Sequence, residues 1–250
     1  KNWRWQLDAN FTRNRSLVYG LPEDIKQVVI DGFTNQGLFA INDQPLGVIQ
    51  GSFIQKDAKT GQRIVDGNGN YLSSTEIGII GDPTPDFKLT GISTVGYKGF
   101  SFRMQWDYTQ GGDMLAFTPG TVVGRGLSKD TDFDRLQGFI LPGVKQEETQ
   151  NNIKISASQA LFNNLSGFFS GDELITFDAT VVRLREASLS YELPESLLSK
   201  TPFGGISLTV SGQNLFYNAP NFPKYVNFDP ETSSLGVSNV RGLEYLSGPT

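Results

Sequence analysis

A chain of 250 residues with a formal net charge of −5, no Cys and no His excludes several functions at once. It can form no disulfide framework, no Ser-His-Asp or Cys-His catalytic group and no histidine-containing zinc site. The negative charge disfavours a nucleic-acid-binding protein, because no basic stripe is available to neutralise phosphates. No apolar run approaches the roughly 18 residues of a membrane-spanning helix, whereas 28 Gly and 12% aromatic residues suit a β-protein with long polar loops.

The first predicted strand covers residues 2–12. Every odd residue from Trp3 to Phe11 is apolar, and every even residue from Arg4 to Thr12 is polar or charged. Because successive side chains of a strand point to opposite faces, this strand has one apolar and one polar face. Residues 14–86 follow as a long segment rich in Gly, Asp, Asn and Gln, with short β-like pieces at 46–55 and 63–65 and a turn at 66–70.

A β-hairpin is predicted next, with strands at 87–97 and 100–108 joined by residues 98–99. The second strand alternates strictly between large apolar and polar residues, and about nine to eleven residues is the length that a tilted strand needs to cross a bilayer. A one-residue slip would move Arg103 and Asp107 into lipid, at a cost of about 2–4 kcal/mol for the Arg at the midplane and less for the Asp. The pattern therefore fixes which face meets lipid.

The remaining predicted strands cover 181–193 and 206–216, after a second long polar segment at about 111–180. A short helical turn at 195–200 separates them, and 217–250 has the composition of a loop. Short and long connections thus alternate, as in outer-membrane barrels with tight periplasmic turns and long extracellular loops. In a compact soluble domain, unstructured connections of this length would count against the strand assignment. The fold class predicted is all-β, part of a large antiparallel transmembrane β-barrel.

Six short motifs, each present once, carry a resemblance to a known family. They are Ile80–Phe87, Tyr97–Phe100, Asp107 followed by Gly111–Asp113, Arg183–Tyr191, Gly212–Phe216 and Phe228–Glu231. In order and spacing they resemble the C-terminal barrel region of SusC/RagA-type TonB-dependent transporters, which are outer-membrane importers of the Bacteroidetes. The resemblance covers nearly the whole chain from about residue 37 onward.

The resemblance implies a barrel of about 22 strands, an N-terminal plug with a TonB box, and location in the Gram-negative outer membrane. It also implies a SusD-like surface lipoprotein partner, coupling to the TonB complex, and import of oligosaccharides or peptides. We expect residues 1–250 to be the C-terminal portion of the barrel domain, a fragment in which the plug, the TonB box and the last strand are absent. Five strands with two open edges cannot sit in lipid alone, because their unpaired backbone groups would have no partner there.

Lumen-facing Arg103, Gln105 and Asp107 are the candidate substrate-binding residues. Polar residues are obligatory on a wet interior face, so a hydrogen-bonded layer that braces the wall or contacts the plug is favoured over substrate contact by roughly three to one. No residue is expected to perform covalent chemistry, so the protein is predicted to be neither an enzyme nor dependent on a cofactor.

A calcium loop is considered at Asp66, Asn68 and Asn70, which have the first spacings of that motif. The motif also needs Gly at its sixth position and a bidentate Glu at its twelfth, where this chain has Tyr71 and Ile77. An ordinary Asn/Gly turn is therefore favoured, and no metal site is predicted.

Two further groups are assigned from strand phase. The aromatic residues of the strands share the phase of the lipid face, which favours an interfacial aromatic girdle over stacking on sugar rings. Arg183 and Arg185 share the phase of the lipid-facing residues of their strand. They are predicted to snorkel or to meet anionic headgroups at the extracellular rim.

Three alternatives remain open from the residues alone. A non-transporting barrel component of a surface secretion or motility assembly would have the same strands. A soluble extracellular glycan-binding β-sandwich would bury the aromatic faces against each other. A β-rich glycoside hydrolase would need two carboxylates about 5–10 Å apart in a cleft, and no two acids pair convincingly in the sequence.

Overall fold

A computed structural model describes residues 3–167, 170–232 and 241–246. The chain divides into two compact units, which we call the sheet unit (1–14, 86–110 and 180–219) and the core unit (15–85, 111–179 and 220–250). The helices of the described ranges are all too short or too polar to cross a membrane.

The strands and helices follow in chain order. The strands are β1 (Trp3–Thr12), β2 (Val28–Phe33), β3 (Gln36–Ala40), β4 (Val48–Ile54), β5 (Ile64–Val65), β6 (Ser73–Gly81), β7 (Phe87–Tyr97), β8 (Phe100–Gln110), β9 (Asp113–Ala116), β10 (Val144–Lys145), β11 (Thr176–Asp178), β12 (Val181–Glu192), β13 (Ser207–Asn218) and β14 (Leu243–Glu244). The helices are α1 (Phe117–Gly124) and α2 (Glu195–Leu198), with 3₁₀ turns at Lys129–Thr131 and Asp172–Ile175 and a π-helix at Gln159–Leu165.

The sheet unit is one antiparallel sheet with the strand order β1-β7-β8-β12-β13. All five strands predicted from the alternation are present, and each bound agrees within two residues. The short helical turn predicted at 195–200 is α2. The all-β antiparallel prediction is therefore confirmed, and within the described residues the sheet is open at β1 and β13.

The predicted hairpin joins β7 to β8 through Lys98 and Gly99, with Tyr97 paired to Phe100. Both turn residues have positive φ, 45° at Lys98 and 86° at Gly99, as the two-residue hairpin turn that matches strand twist requires. A side chain at Gly99 would also lie 3.0 Å from the carbonyl oxygen of Glu192. Glycine is therefore the residue that fits this turn.

Cross-strand register puts most of the large apolar residues of the five strands on one face. Opposing partners share a face of the sheet. This apolar face contains Trp3, Trp5, Leu7, Phe11, Leu89, Val95, Tyr97, Phe100, Phe102, Met104, Trp106, Leu184, Leu189, Tyr191, Leu208, Val210 and Phe216. Trp5 is 70% exposed and Val210 is 79% exposed. A sandwich would bury such a face against a second sheet, whereas these side chains are exposed within the described residues.

Aromatic pairs lie toward both ends of the apolar face. Near the hairpin, the rings of Trp3 and Tyr97 lie 4.3 Å apart between centroids, and those of Phe100 and Tyr191 lie 4.4 Å apart. Toward the other strand ends, Phe87 contacts both Phe11 and Tyr108. The indole N–H of Trp5 donates to Ser93 Oγ at 3.1 Å, so this polar atom is satisfied on the apolar face itself.

A β-bulge in β12 corrects the prediction for Arg183 and Arg185. The register shifts between Leu184 and Glu186, which leaves Arg185 as an extra residue. Arg183 pairs with Asp107 and thus lies on the polar face, buried, with its guanidinium 5.2 Å from the Tyr217 ring centroid. The prediction that these two arginines share the lipid-facing phase was wrong, because strict alternation does not continue through a bulge.

The core unit shows that the two long polar segments fold into a packed structure. Strands β2-β3-β4-β6 form one antiparallel sheet, β9 pairs with β11 and β14, and β5 pairs with β10. Consecutive residues Gly37–Ala40 are all buried, so β3 is covered on both faces. Of these elements, only β4, β5 and the 66–70 turn were expected from the sequence, at 46–55, 63–65 and 66–70. The β14 strand lies within the predicted 217–250 loop.

Two clusters of buried apolar side chains hold the core unit together. The first contains Leu38, Ile49, Leu115, Phe117, Ile175 and Leu243, and the second contains Ile54, Val65, Tyr71, Leu141, Ile155 and Ala160. Members of the first cluster come from five separate parts of the chain, so long-range packing rather than local periodicity organises this unit.

Candidate functional site: the polar face of the sheet unit

The predicted substrate contacts Arg103 and Asp107 lie on the polar face of β8, and both are engaged by β12. Arg103 Nη1 lies 2.5 Å from Glu186 Oε2, and Arg185 Nε donates to Asp107 Oδ2 at 2.6 Å. All four side chains are between 23% and 34% exposed. Two ion pairs therefore link β8 to β12, and charge-assisted hydrogen bonds are roughly twice as strong as neutral ones.

Asp107 is the centre of a network that spans four strands. Its Oδ1 accepts from Thr90 Oγ1 of β7 at 2.9 Å and lies 3.5 Å from Gln105 Nε2. Arg185 extends the network to β13, because its Nη1 lies 3.4 Å from Asn214 Oδ1. The network thus connects β7, β8, β12 and β13 through side chains, in addition to their main-chain ladders.

This geometry is that of a brace across the sheet. The three candidate residues share one face, and each has a polar partner within the sheet unit. Sequence reasoning did not identify Glu186 or Arg185 as their partners; the phase change of apolar residues within β12 is the signal that could have located the bulge. Substrate contact by Arg103, Gln105 and Asp107 stays a prediction.

The segment considered as a calcium loop folds as an Asx turn. Asp66 Oδ1 accepts hydrogen bonds from the backbone N–H groups of Asn68 and Asn70, both at 2.9 Å. Asn70 Oδ1 accepts from Asn164 Nδ2 at 3.0 Å and from Gln159 Nε2 at 3.1 Å. Over the described ranges, no group of three or more His, Cys, Asp or Glu is placed to hold a metal.

The sequence motifs Ile80–Phe87 and Gly111–Asp113 contact each other in the core unit. Asp82 N–H donates to Asp113 Oδ2 at 2.9 Å, and Asp113 N–H donates to the Asp82 carbonyl at 2.7 Å. A Cβ at Gly81 would lie 2.7 Å from Asp113 Cβ, and one at Gly112 would lie 3.0 Å from the Pro83 carbonyl. The glycines allow the close approach, which explains why both motifs contain Gly before Asp. We call this contact the Asp82–Asp113 clasp.

The clasp perturbs the titration of Asp113. Burial raises the pKa of the Asp113 carboxyl above its ordinary value, and the negative charges of Asp178 and Asp82 act in the same direction. The hydrogen bond from Asp82 N–H opposes them. The net shift of the Asp113 pKa is upward, because burial and the neighbouring negative charges outweigh the hydrogen bond of the clasp.

The chain is similar to known proteins both in sequence and in fold. No family model matches the chain. The chain is 27% identical over 281 aligned residues to "TonB-dependent receptor P3" of Formosa agariphila, an alignment that covers 100% of the chain and 26% of that receptor. The chain therefore spans about a quarter of the length of this curated relative.

Solved structures agree in fold. The RagAB peptide importer in its "closed-closed" state matches with a TM-score of 0.58 and 19% identity, covering 98% of this chain and 26% of that one. The RagAB peptide transporter matches with a TM-score of 0.57 and 19% identity, over the same shares of the two chains. The "open-open" state of the importer matches with a TM-score of 0.56 and 17% identity, covering 98% and 25%.

The fold defined by the two-faced sheet and its long insertions is similar to that of a segment of the RagAB peptide importer. More particularly, the resemblance to the barrel region of SusC/RagA-type transporters is confirmed by the receptor similarity over the whole chain and by the RagAB structural likeness. These relatives are named as receptors and transporters rather than as enzymes.

Proposed function

We propose that the whole protein is a TonB-dependent importer of oligosaccharides or peptides in the Gram-negative outer membrane. In this proposal, residues 1–250 supply part of the barrel wall and its long extracellular loops. The observation that carries the proposal is the continuous division of the sheet unit into an exposed apolar face and a polar face, together with full-chain similarity to a TonB-dependent receptor.

The physical role of the sheet unit is to separate lipid from a watery lumen. The apolar face is directed to acyl chains, and the aromatic pairs toward its two ends serve as interfacial girdles. The polar face is directed to the lumen, where the ion pairs of Arg103 and Asp107 brace the wall. Contact of these residues with passing substrate is a secondary role.

The proposed assembly extends beyond this chain. We assign residues 1–250 to the C-terminal portion of the barrel domain, with the plug, the TonB box and the last strand supplied by other parts of the protein. The partners are a SusD-like surface lipoprotein at the extracellular mouth, the TonB complex, and outer-membrane lipid. The protein is assigned no catalytic activity, cofactor or nucleic-acid partner. The resemblance supports each of these assignments.

A matched pair of arginine substitutions tests the orientation of the sheet. Met104→Arg introduces a charge on the apolar face, and Ile92→Arg introduces the same charge on the polar face, where Asp8 and Gln105 are the cross-strand neighbours. In the full-length receptor, we expect Met104→Arg to cost about 2–4 kcal/mol and to reduce the yield of folded barrel in outer-membrane fractions. Ile92→Arg should leave that yield near wild type. Equal losses would contradict the lipid-facing assignment.

Uptake distinguishes import from a secretion or motility role. We expect cells that lack the receptor to lose growth on, and uptake of, one class of labelled oligosaccharide or peptide. A protonophore should abolish the same uptake in wild-type cells, because the energy comes from the inner-membrane proton gradient. Normal uptake of all tested nutrients, with a loss of surface-protein export or movement, would instead identify the barrel as part of another assembly.

A further inference from the structure

The core unit contains a cavity of about 680 Å³ near the end of α1. Its volume lies within the range of about 300–1,000 Å³ typical of small-molecule sites. Three parts of the chain meet there: the end of α1 with the turn that follows it, Arg135, and the segment that runs into the π-helix. The lining residues are Gly124, Arg125, Leu127, Arg135, Ser156, Ala157, Ser158, Leu161 and Phe162.

The charged residues that line the cavity are both arginines, although the chain has 26 acidic and 21 basic residues. Among the described residues that line the cavity there is no carboxylate. The nearest acid in sequence, Asp134, accepts a hydrogen bond from the Leu136 N–H. The cavity is therefore a locally positive site, and two planar guanidinium groups suit a carboxylate, which they can bind through paired hydrogen bonds.

The guanidinium of Arg135 is held at the cavity by the turn after α1. It donates to the Gly126 carbonyl at 3.3 Å, and its Cζ lies 4.9 Å from the Phe133 ring centroid. Gly126 has φ of +70°, and a Cβ there would lie 2.8 Å from Arg135 Nη2. The glycine thus leaves room for the guanidinium against the backbone, which reduces the entropy that a ligand would have to remove.

The carbonyl groups in the last turn of α1 are hydrogen-bonded within the chain. The Arg125, Gly126 and Leu127 N–H groups bind the carbonyls of residues 121–123 at 2.9 Å. These oxygens are therefore occupied by the chain's own backbone, which agrees with the usual capping of a helix C-terminus.

The other half of the cavity wall is apolar. Leu127 is 74% exposed, and Leu161 and Phe162 come from the π-helix Gln159–Leu165. π-Helical geometry is rare in proteins. Ser156 and Ser158 add hydroxyl groups beside this apolar surface. The lining thus offers few hydrogen-bond acceptors, which disfavours a ligand rich in hydroxyl groups.

We propose that this cavity binds a carboxylate carried on an apolar stem, with Arg125 and Arg135 engaging the carboxylate and Leu127, Leu161 and Phe162 contacting the stem. The proposal goes beyond nutrient import and does not rest on it, because it concerns equilibrium binding at the core unit. A failure of the import assays would therefore not contradict this binding site. A failure of the binding test would likewise not contradict the import proposal.

The test uses calorimetry on the full-length receptor with three defined probes: N-acetyl-leucyl-leucine with a free carboxylate, its C-terminal amide, and galacturonic acid. We expect the free acid to bind at least about tenfold more tightly than the amide, because hydrogen bonds to a charged group are lost in the amide. Galacturonic acid, which has the charge without an apolar stem, should bind at least about tenfold more weakly than the dipeptide acid. Affinity for the acid should fall with added salt.

Two variants assign the binding to this cavity. The double variant Arg125→Gln and Arg135→Gln should lose at least about tenfold in affinity for the acid, whereas Arg13→Gln, an exposed site outside the core unit, should not change it. Both cavity arginines are exposed, so the double variant should fold normally. Equal binding of acid and amide, galacturonate binding as tight as the dipeptide, unchanged affinity in the double variant, or no binding of the acid up to about 10 mM would each overturn the proposal.

Discussion

The sheet unit and the core unit use apolar side chains in opposite ways. In the sheet unit, Trp5 and Val210 are at least 70% exposed, and order comes from main-chain ladders with polar braces on the other face. In the core unit, Leu38 and Leu115 are completely buried within a cluster. The core unit buries its apolar side chains inside the protein, whereas the sheet unit exposes them. An exposed apolar sheet is stable only where its surroundings are themselves apolar.

Apolar side chains should also contribute to the free energy of unfolding in different ways in the core unit and in the sheet unit. Removal of a buried side chain from the core unit leaves a cavity among packed neighbours, which adds to the lost transfer free energy. Lipid tails are fluid and can fill a gap on the outside of a barrel. The same substitution should consequently have different costs in the two units.

The largest expected effect comes from leucine truncation. Leu115→Ala in the core unit should cost about 2–5 kcal/mol, whereas Leu208→Ala on the apolar face should lose only a transfer term of about 1–2 kcal/mol. Thermal unfolding of the full-length receptor in lipid nanodiscs measures both. Equal costs would mean that the apolar face is packed against protein. No cost at Leu208 would mean that this face meets water.

A second comparison concerns two glycines of the core unit. Gly81→Ala would place a Cβ 2.7 Å from Asp113 Cβ, which should cost about 1–3 kcal/mol by forcing the Asp82–Asp113 clasp apart. Gly67→Ala is the matched control, because no atom lies within 4 Å of the Cβ position there. Limited proteolysis of the core unit should distinguish the variants. A Gly81→Ala protein as resistant as the control would show that the clasp tolerates the methyl group.

The braces of the sheet unit should contribute less. Asp107→Asn removes the charge that Arg185 contacts at 2.6 Å in a partly buried position, and we expect a loss of about 1 kcal/mol. Lys59→Gln removes the exposed core-unit pair with Glu148 and should cost less than about 0.5 kcal/mol. Thermal unfolding at low and high salt tests both, and a larger effect at Lys59 would refute the ranking.

The smallest expected effect is a pH dependence at the clasp. Since burial raises the pKa of Asp113 in the folded state, its contribution to stability is fully present below the unfolded-state pKa and is lost as pH rises through the raised value. Thermal unfolding of the wild type should therefore gain a stabilising component between neutral and acid pH. Asp113→Asn keeps an oxygen for the Asp82 N–H and should lack that component. Identical pH profiles would exclude a role for Asp113.

The five strands of the sheet unit could be predicted because their signal is local. Alternation across nine to twelve residues specifies both the strand and its two faces. The error at Arg183 and Arg185 had a visible cause: the apolar residues of β12 change phase between Leu184 and Ala187. A phase change within one strand indicates a bulge, and the simple alternation rule overlooks it.

The core unit could not be predicted from such patterns. Its β3 strand is a short run buried on both faces, which has no alternation to detect. The partners of Leu38 in the buried cluster lie far along the chain, at Leu115, Ile175 and Leu243. The ion pairs of Arg103 and Asp107 depend similarly on the register between β8 and β12, which are separated by about seventy residues of inserted chain. Only the face on which these side chains lie follows from the sequence.

The two-residue turn between β7 and β8 has a consequence for the order of assembly. Hairpins closed by so short a connection form on a timescale of about 1–10 μs, because little chain entropy is lost. β12 can join the edge of β8 only after the inserted residues 111–179 have brought it back, and β1 must close a comparable gap to reach β7. We therefore expect the hairpin to act as the folding nucleus of the wall, with Lys98 and Gly99 influencing the rate of assembly more than the final stability.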